Sequence, residues 1–359
     1  MCGFEKIIGQ TQPIRILTTL LQNGNVPHAL TFIGNQGIGK HTVATIFAML
    51  CNCVGNVDAK NTNQAESKQA ITIGSIHSAP QIPNSELIYN PCGVCKVCRK
   101  IKSGNHPDII LIKPSGQFIK IEQIRDLRLI ITMKPYSAKL RVVIIDDAQT
   151  MNQAAANALL KVLEEPPDRT VFILIAKNKR DLLPTITSRC QPIRFHPISL
   201  QHIKAMLMTQ KNVVPEKATV LAAMSYGSFS KALSLLENDW INRRDLLIRT
   251  IWPGTVNARS VQSSAMIMAL AARFARDKDN ITEILDGIKS WLRDLLIYRY
   301  CPEKMINYDL IDKIHYMSEQ IAVGTLLEKL EAVQTAERKI RANANLRLTL
   351  DSLFMQLTR

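Results

Sequence analysis

The sequence predicts a doubly wound parallel α/β sheet through about residue 198, followed by all-helical modules. Three observations predict it. A short apolar strand, Ala29–Ile33, runs into the glycine loop Gly34–Lys40 and then into an apolar helix. The apolar runs Ile109–Ile112, Val142–Ile145 and Val171–Ile175 alternate with helical segments, as buried parallel strands do. After Pro197 the strand signals largely disappear, and apolar residues recur at helical spacing.

The elements follow in order. Pro13 to Leu21 reads as a helix, because Ile14, Leu17, Leu20 and Leu21 share a face and Pro13 suits a first turn. Thr42 to Leu50 is helical and leads into Cys51-Asn52-Cys53. Residues 54–91 are rich in Asn, Gln, Ser, Thr and Pro without periodicity, which predicts a surface insertion. Helices are expected at Ile121–Met133 and at Asn152–Glu165, the latter stopped by Pro166-Pro167. Leu200–Leu236 reads as short helices, and longer ones are expected at Ile281–Tyr298 and Leu326–Leu357.

At 359 residues the chain is long enough for two or three domains. No apolar run approaches the roughly 18 to 20 residues of a membrane span. The start, Met1 to Lys6, lacks the apolar centre of a signal peptide, so a cytoplasmic protein with no membrane partner is expected. The net charge of +15 points to a polyanionic partner. It is concentrated: Lys96 to Arg141 carries eleven Lys and Arg against three Asp and Glu. The alternative reading of such a stretch is a solvated basic face. Eight cysteines in a reducing compartment argue against a disulfide framework.

Gly34-Asn35-Gln36-Gly37-Ile38-Gly39-Lys40 fits the first seven positions of a phosphate loop. Gly34, Gly37 and Gly39 let backbone N–H groups face phosphate oxygens, and Lys40 is placed to reach the β and γ phosphates of ATP. The next position calls for a hydroxyl to hold Mg²⁺, but His41 stands there. Thr42 is one place late. Imidazole is a poor ligand for Mg²⁺, so the loop is read either as a nucleotide site or as a retained packing element.

The strand Ile144-Ile145 ends in Asp146-Asp147. Asp146 suits a metal-holding role, while Asp147 occupies the place where a longer glutamate would polarise the attacking water. A carboxylate one methylene short misplaces that water and slows hydrolysis.

Cys92, Cys95 and Cys98 fall within seven residues, a spacing that belongs to metal ligation. A closed tetrahedral Zn²⁺ site needs a fourth ligand. Cys53 and Cys51 are the candidates, with His77 and His106 as weaker options.

Together these motifs resemble the bacterial clamp-loader subunits of DNA polymerase III, the delta-prime and tau/gamma proteins of the AAA+ class. The likeness is carried by the phosphate loop, Cys92 to Cys98, Gly104-Asn105-His106-Pro107-Asp108, Ile121-Glu122-Gln123-Ile124-Arg125, Asp146-Asp147-Ala148, Ala155 to Lys161, Leu163-Glu164-Glu165-Pro166-Pro167 and Leu183 to Gln191. It is firm to about residue 240 and thinner beyond, at Trp291-Leu292-Arg293-Asp294 and Asn343-Ala344-Asn345.

The resemblance implies a RecA-like AAA+ domain with an inserted zinc module (1–198), an all-α lid (199–241) and an all-α collar (242–359). It selects Cys53 as the first zinc ligand, with Cys92, Cys95 and Cys98. It implies that Arg189, within Ser188-Arg189-Cys190, is an arginine finger reaching a neighbour's γ-phosphate in trans. The implied partners are tau/gamma and delta subunits in a hetero-pentamer, the sliding clamp and primer–template DNA.

His41 and Asp147 depart from the hydrolysing tau/gamma pattern, and Ser230-Lys231 stands where the second sensor has an arginine. Asn178 is the expected first-sensor residue. These departures, and an end without further C-terminal modules, favour the delta-prime branch with weak or absent hydrolysis of its own. The alternatives are an ATP-hydrolysing motor of the tau/gamma kind and a freestanding zinc protein that binds DNA.

Overall fold

A computed structural model describes residues 3–55, 72–74, 90–252, 264–276 and 280–358. The chain divides into two compact units, Met1–Ile198 and Ser199–Arg359.

In the first unit the described elements begin with α1 (Thr11–Gln22), β1 (Asn25–Pro27), β2 (Ala29–Ile33), α2 (Lys40–Asn52) and β3 (Thr72–Gly74). They continue with α3 (Lys96–Lys102), β4 (Ile109–Ile112), α4 (Ile121–Ile131), β5 (Arg141–Ile145) and α5 (Gln153–Glu164). The last are β6 (Thr170–Ala176), α6 (Pro184–Thr187) and β7 (Gln191–Arg194). The main sheet is wholly parallel in the order β4-β5-β6-β2-β7.

β5 and β6 are buried at every position, which is why they read as unbroken apolar runs. Alternate strand residues serve opposite faces of the sheet. Phe32, Ile144 and Ile173 join Leu17 of α1 and Phe47 of α2 in one core. Val143, Phe172 and Leu174 join Ile124 and Leu127 of α4 and Leu159 of α5 in the other. The carboxyl ends of β2, β5 and β6 lie side by side, where open α/β sheets hold ligands.

The structure adds elements that sequence patterning misses. β7 is an edge strand beside β2, and its Gln-Pro-Ile-Arg sequence buries only Ile193 fully. β1 and β3 form a separate parallel pair. The expected surface insertion at 54–91 lies outside the described residues, apart from 54–55, 72–74 and 90–91.

The second unit is helical throughout its described residues. It contains α7 (Leu200–Lys211), α8 (Pro215–Met224), α9 (Phe229–Glu237), α10 (Trp240–Ile251) and α11 (Ser264–Ala275). It ends with α12 (Ile281–Ile297), α13 (Ile311–Gln320), α14 (Val323–Arg341) and α15 (Leu346–Thr358). The single helix expected over Leu326–Leu357 is therefore two. Asn343 adopts a left-handed conformation with φ 59°, and the Asn345 side chain accepts from the N–H of Leu348. An asparagine tolerates that backbone and starts the next helix without any Gly or Pro to mark the break.

Arg244 is fully buried in this unit and donates to Asp309, Asp245 and Asn307. Asp294, also fully buried, accepts from the N–H groups of Ile306 and Asn307 and from Asn307 Nδ2. Among the described residues no helix is long and apolar enough to cross a membrane.

Candidate phosphate-loop and metal sites

The glycine loop leaves β2 at Gly34 and enters α2 at Lys40. A Cβ at Gly34 would lie 2.6 Å from the Phe195 carbonyl oxygen and 2.7 Å from Ile38 Cδ1, so only glycine fits. Gly39, the residue before α2, has φ 97°, a conformation open to glycine but strained for other residues. Lys40 is almost fully buried, and its ammonium donates to the carbonyls of Gly34 and Asn35, the latter at 2.6 Å. Burial lowers its pKa to about 8, against the opposing pull of Asp147 and Asp146.

Gln10 anchors this loop, and sequence reading missed it. Its fully buried amide donates to the carbonyls of Ile38 (3.3 Å) and His196 (2.6 Å), and its oxygen accepts from the His196 N–H at 3.1 Å. A lone glutamine ahead of a helix carries no signal of that task.

His41 follows Lys40 in the first turn of α2. Its Nε2 is buried without a hydrogen-bond partner, and burial lowers its pKa, partly offset by Asp146. Thr42 is exposed. Asp146 and Asp147 are partly buried at the end of β5. Asp147 takes a left-handed conformation with φ 48°, and Gln149 Nε2 donates to its carboxylate at 2.9 Å. The loop lysine and the two carboxylates therefore meet at the sheet's carboxyl end.

The cysteine site joins the far end of α2 to the start of α3. The ligand atoms of Cys53, Cys92, Cys95 and Cys98 all lie within 4.8 Å of one another. Tetrahedral Zn–S bonds near 2.3 Å place sulfurs about 3.8 Å apart, so the four cysteines can hold a metal ion. Successive amides support the sulfurs: Cys92 N–H donates to Cys53 Sγ, Cys95 N–H to Cys92 Sγ, and Cys98 N–H to Cys95 Sγ, each at 3.4 Å. The N–H groups of Cys95 and Val94 hold the Cys92 thiol down to about 6. Asn52 fixes the end of α2 by exchanging two 3.0 Å hydrogen bonds with the backbone of Leu140.

Cys51 lies outside the cluster. It is buried, and burial pushes its thiol up to about 12. His106 is likewise no part of it: its Nδ1 accepts from the Asp108 N–H at 3.2 Å. His77 lies outside the described residues.

Asp108 organises a structural turn. It accepts from the N–H groups of Tyr136, Ser137 and Ala138 at 2.8–2.9 Å. Arg141, buried, pairs with it at 3.6 Å and donates to the carbonyls of Met133 and Lys134. Arg141 is thus a core residue and not part of the exposed basic face expected for this stretch. The other ten basic side chains between Lys96 and Lys139 are exposed.

Arg189 follows α6 on the surface. Its guanidinium donates to the Thr185 carbonyl at 2.9 Å and pairs with Glu164 at 2.8 Å. Asn178 Nδ2 donates to the Asp181 carboxylate at 3.2 Å. Lys231 pairs with Asp286 at 2.6 Å inside the helical unit.

A glycine loop at the carboxyl end of a parallel sheet, tied through one helix to a four-cysteine cluster, defines a phosphate-loop α/β protein with a module able to hold a metal ion. The family model described as DNA polymerase III, delta subunit, matches residues 9–88 and 76–199, together more than half of the chain. That described as DNA polymerase III, delta subunit, C terminal, matches 237–359. The chain belongs to this DNA polymerase III delta subunit family.

Among known relatives, DNA polymerase III subunit delta' of Bacillus subtilis is 28% identical over 98% of both chains. Subunit tau of the same organism is 26% identical over 94% of this chain, which spans 58% of tau's length. A solved gamma subunit-related protein of Thermotoga maritima aligns with 73% of this chain and 88% of its own, at 19% identity and a TM-score of 0.40.

Proposed function

We propose that this chain acts in the cytoplasm as a clamp-loader subunit of the delta-prime kind. It takes one place in a hetero-pentameric ring with tau/gamma and delta subunits, and helps load the sliding clamp onto primer–template DNA during replication. Its catalytic contribution is made in trans. Arg189 reaches the γ-phosphate in a neighbour's site, where a planar guanidinium matches the phosphate oxygens and offsets the charge developing in transfer.

The observation that carries this reading is the setting of Arg189. It lies on the surface, held by one exposed carboxylate and one carbonyl rather than buried in a core. An arginine so placed can exchange its partners for a phosphate.

The chain's own loop has a supporting role. Gly34, Gly37, Gly39 and Lys40 bind nucleotide phosphates, and ATP with its divalent ion supplies the polyphosphate charge that Lys40 and Asp146 are placed to meet. His41 and Asp147 keep its own hydrolysis weak. Zn²⁺ held by Cys53, Cys92, Cys95 and Cys98 is structural, since four protein ligands leave no open position. The exposed basic residues from Lys96 to Lys139 contact DNA phosphates in a salt-dependent, sequence-independent way. Residues 199–241 act as a lid and 242–359 as a collar that joins the ring.

Mixing the purified chain with the hydrolysing loader subunits tests the assignment. A stable complex on sizing chromatography is expected, and a chain that elutes alone at every ratio contradicts it.

A further inference from the structure

His41 occupies the one position of the phosphate loop that normally supplies a hydroxyl to the divalent ion. The structure gives its ring nitrogen a particular setting. Nε2 is shielded from solvent yet has no hydrogen-bond partner, an expensive state for a polar atom. The ring stands next to Lys40, with the Asp146 carboxylate and the Lys113 ammonium as the charges that act on it. Thr42 is exposed, and the Thr45 hydroxyl donates to the His41 carbonyl at 3.0 Å, so neither stands in the place of the missing ligand.

The donors beside Lys40 are therefore the His41 imidazole and the Asp146 and Asp147 carboxylates, where the usual set is all oxygen. Mg²⁺ strongly prefers oxygen and sheds water reluctantly. First-row transition ions accept imidazole readily, with affinity rising from Mn²⁺ to Co²⁺.

We propose that the phosphate loop seats its nucleotide with a first-row transition ion in preference to Mg²⁺, with His41 Nε2 and Asp146 as the protein's contributions to that ion. His41 is then a residue that sets metal preference. The proposal rests on the reading that the loop still binds nucleotide, and it explains the unpaired nitrogen. It also accounts for weak hydrolysis, because the common cellular Mg²⁺–ATP complex meets the wrong ligand.

The test uses the full chain loaded with Zn²⁺, so that the cysteine site is already filled. A fluorescent ATP analogue is titrated without added divalent ion and with Mg²⁺, Mn²⁺ or Co²⁺, for the native chain and for His41→Thr. The native chain is expected to bind about 10-fold or more tightly with Co²⁺ than with Mg²⁺, with Mn²⁺ between them. His41→Thr is expected to reduce that ratio to about 3 or less by restoring an oxygen ligand.

A direct readout comes from electron spin echo spectroscopy of the Mn²⁺–nucleotide complex. Coupling to ¹⁴N is expected in the native chain and its loss in His41→Thr. Equal affinity without added ion and in every ion, without nitrogen coupling, would overturn the metal assignment while leaving the nucleotide site standing. Nitrogen coupling that persists in His41→Thr would also overturn it. No nucleotide binding under any condition would remove both readings, yet would leave the role of Arg189 untouched.

Discussion

The guanidinium of Arg189 donates to the Glu164 carboxylate at 2.8 Å, across a surface on which both side chains are well exposed, at 37% and 49%. The two come from motifs separated in sequence, the end of α5 and the turn after α6. Exposed pairs of this kind contribute only about 0–1 kcal/mol, because water screens them and side-chain entropy opposes them. The arginine is thus held only weakly at the surface.

One prediction contrasts two arginines. Arg189→Ala and Glu164→Gln should each change folding stability by less than about 1 kcal/mol in chemical denaturation. Arg244→Ala strips a fully buried cation from Asp309, Asp245 and Asn307, and should cost about 3–5 kcal/mol. A large loss at Arg189 would mean that the side chain is structural.

The four-cysteine cluster allows a clean discrimination. Purified native chain should carry one metal ion, and Cys53→Ser or Cys98→Ser should lose it, because three sulfurs do not close a tetrahedral cage. Cys51→Ala should retain it, since that thiol stays outside the cluster. Elemental analysis reads all three. A chelator should also lower thermal stability, as the metal ties α2 to α3. Metal retained in Cys53→Ser and lost in Cys51→Ala would reverse the ligand assignment.

Lys40 gives a pH signature. In the free chain its pKa is lowered to about 8, so above that pH much of it is neutral. Bound phosphates favour the ammonium, and binding should therefore take up protons. Uptake should be near zero at pH 6.5 and a substantial fraction of a proton at pH 8.5. Calorimetry in buffers of different ionisation heat measures it. The same depression means that, without nucleotide, this group lets stability rise between pH 8 and the usual lysine value near ~10.4, because the unfolded chain holds more protons there. Equal uptake at both pH values would place Lys40 away from the phosphates.

Much of the sheet was legible because its central strands are buried on both faces and must be apolar throughout. β2 and β4 match their expected bounds, and β5 and β6 run one residue beyond theirs at one or both ends. β7 was not legible: Pro192 and Arg194 break the apolar pattern, and its pairing with β2 comes from tertiary position alone. The break between α14 and α15 was hidden because Ala342 to Asn345 contains neither Gly nor Pro.

At the sites, residue identity pointed to four cysteines that do come together and to a candidate phosphate loop, since metal and phosphate chemistry demand particular side chains at fixed spacing. It could not reveal support. Gln10 serves the loop across a long sequence separation, and Arg141 looks like any surface base until its partner Asp108 is seen beside it. Composition counted Arg141 towards a basic surface charge that it does not join.

The central claim is that Arg189 acts in a neighbour's site. It is tested in a reconstituted ring where only the adjoining protomer can hydrolyse ATP, comparing native chain with Arg189→Ala in single-turnover measurements. Assembly should survive while hydrolysis falls by about 10³-fold. An intact ring that hydrolyses at the native rate without this side chain would contradict the account.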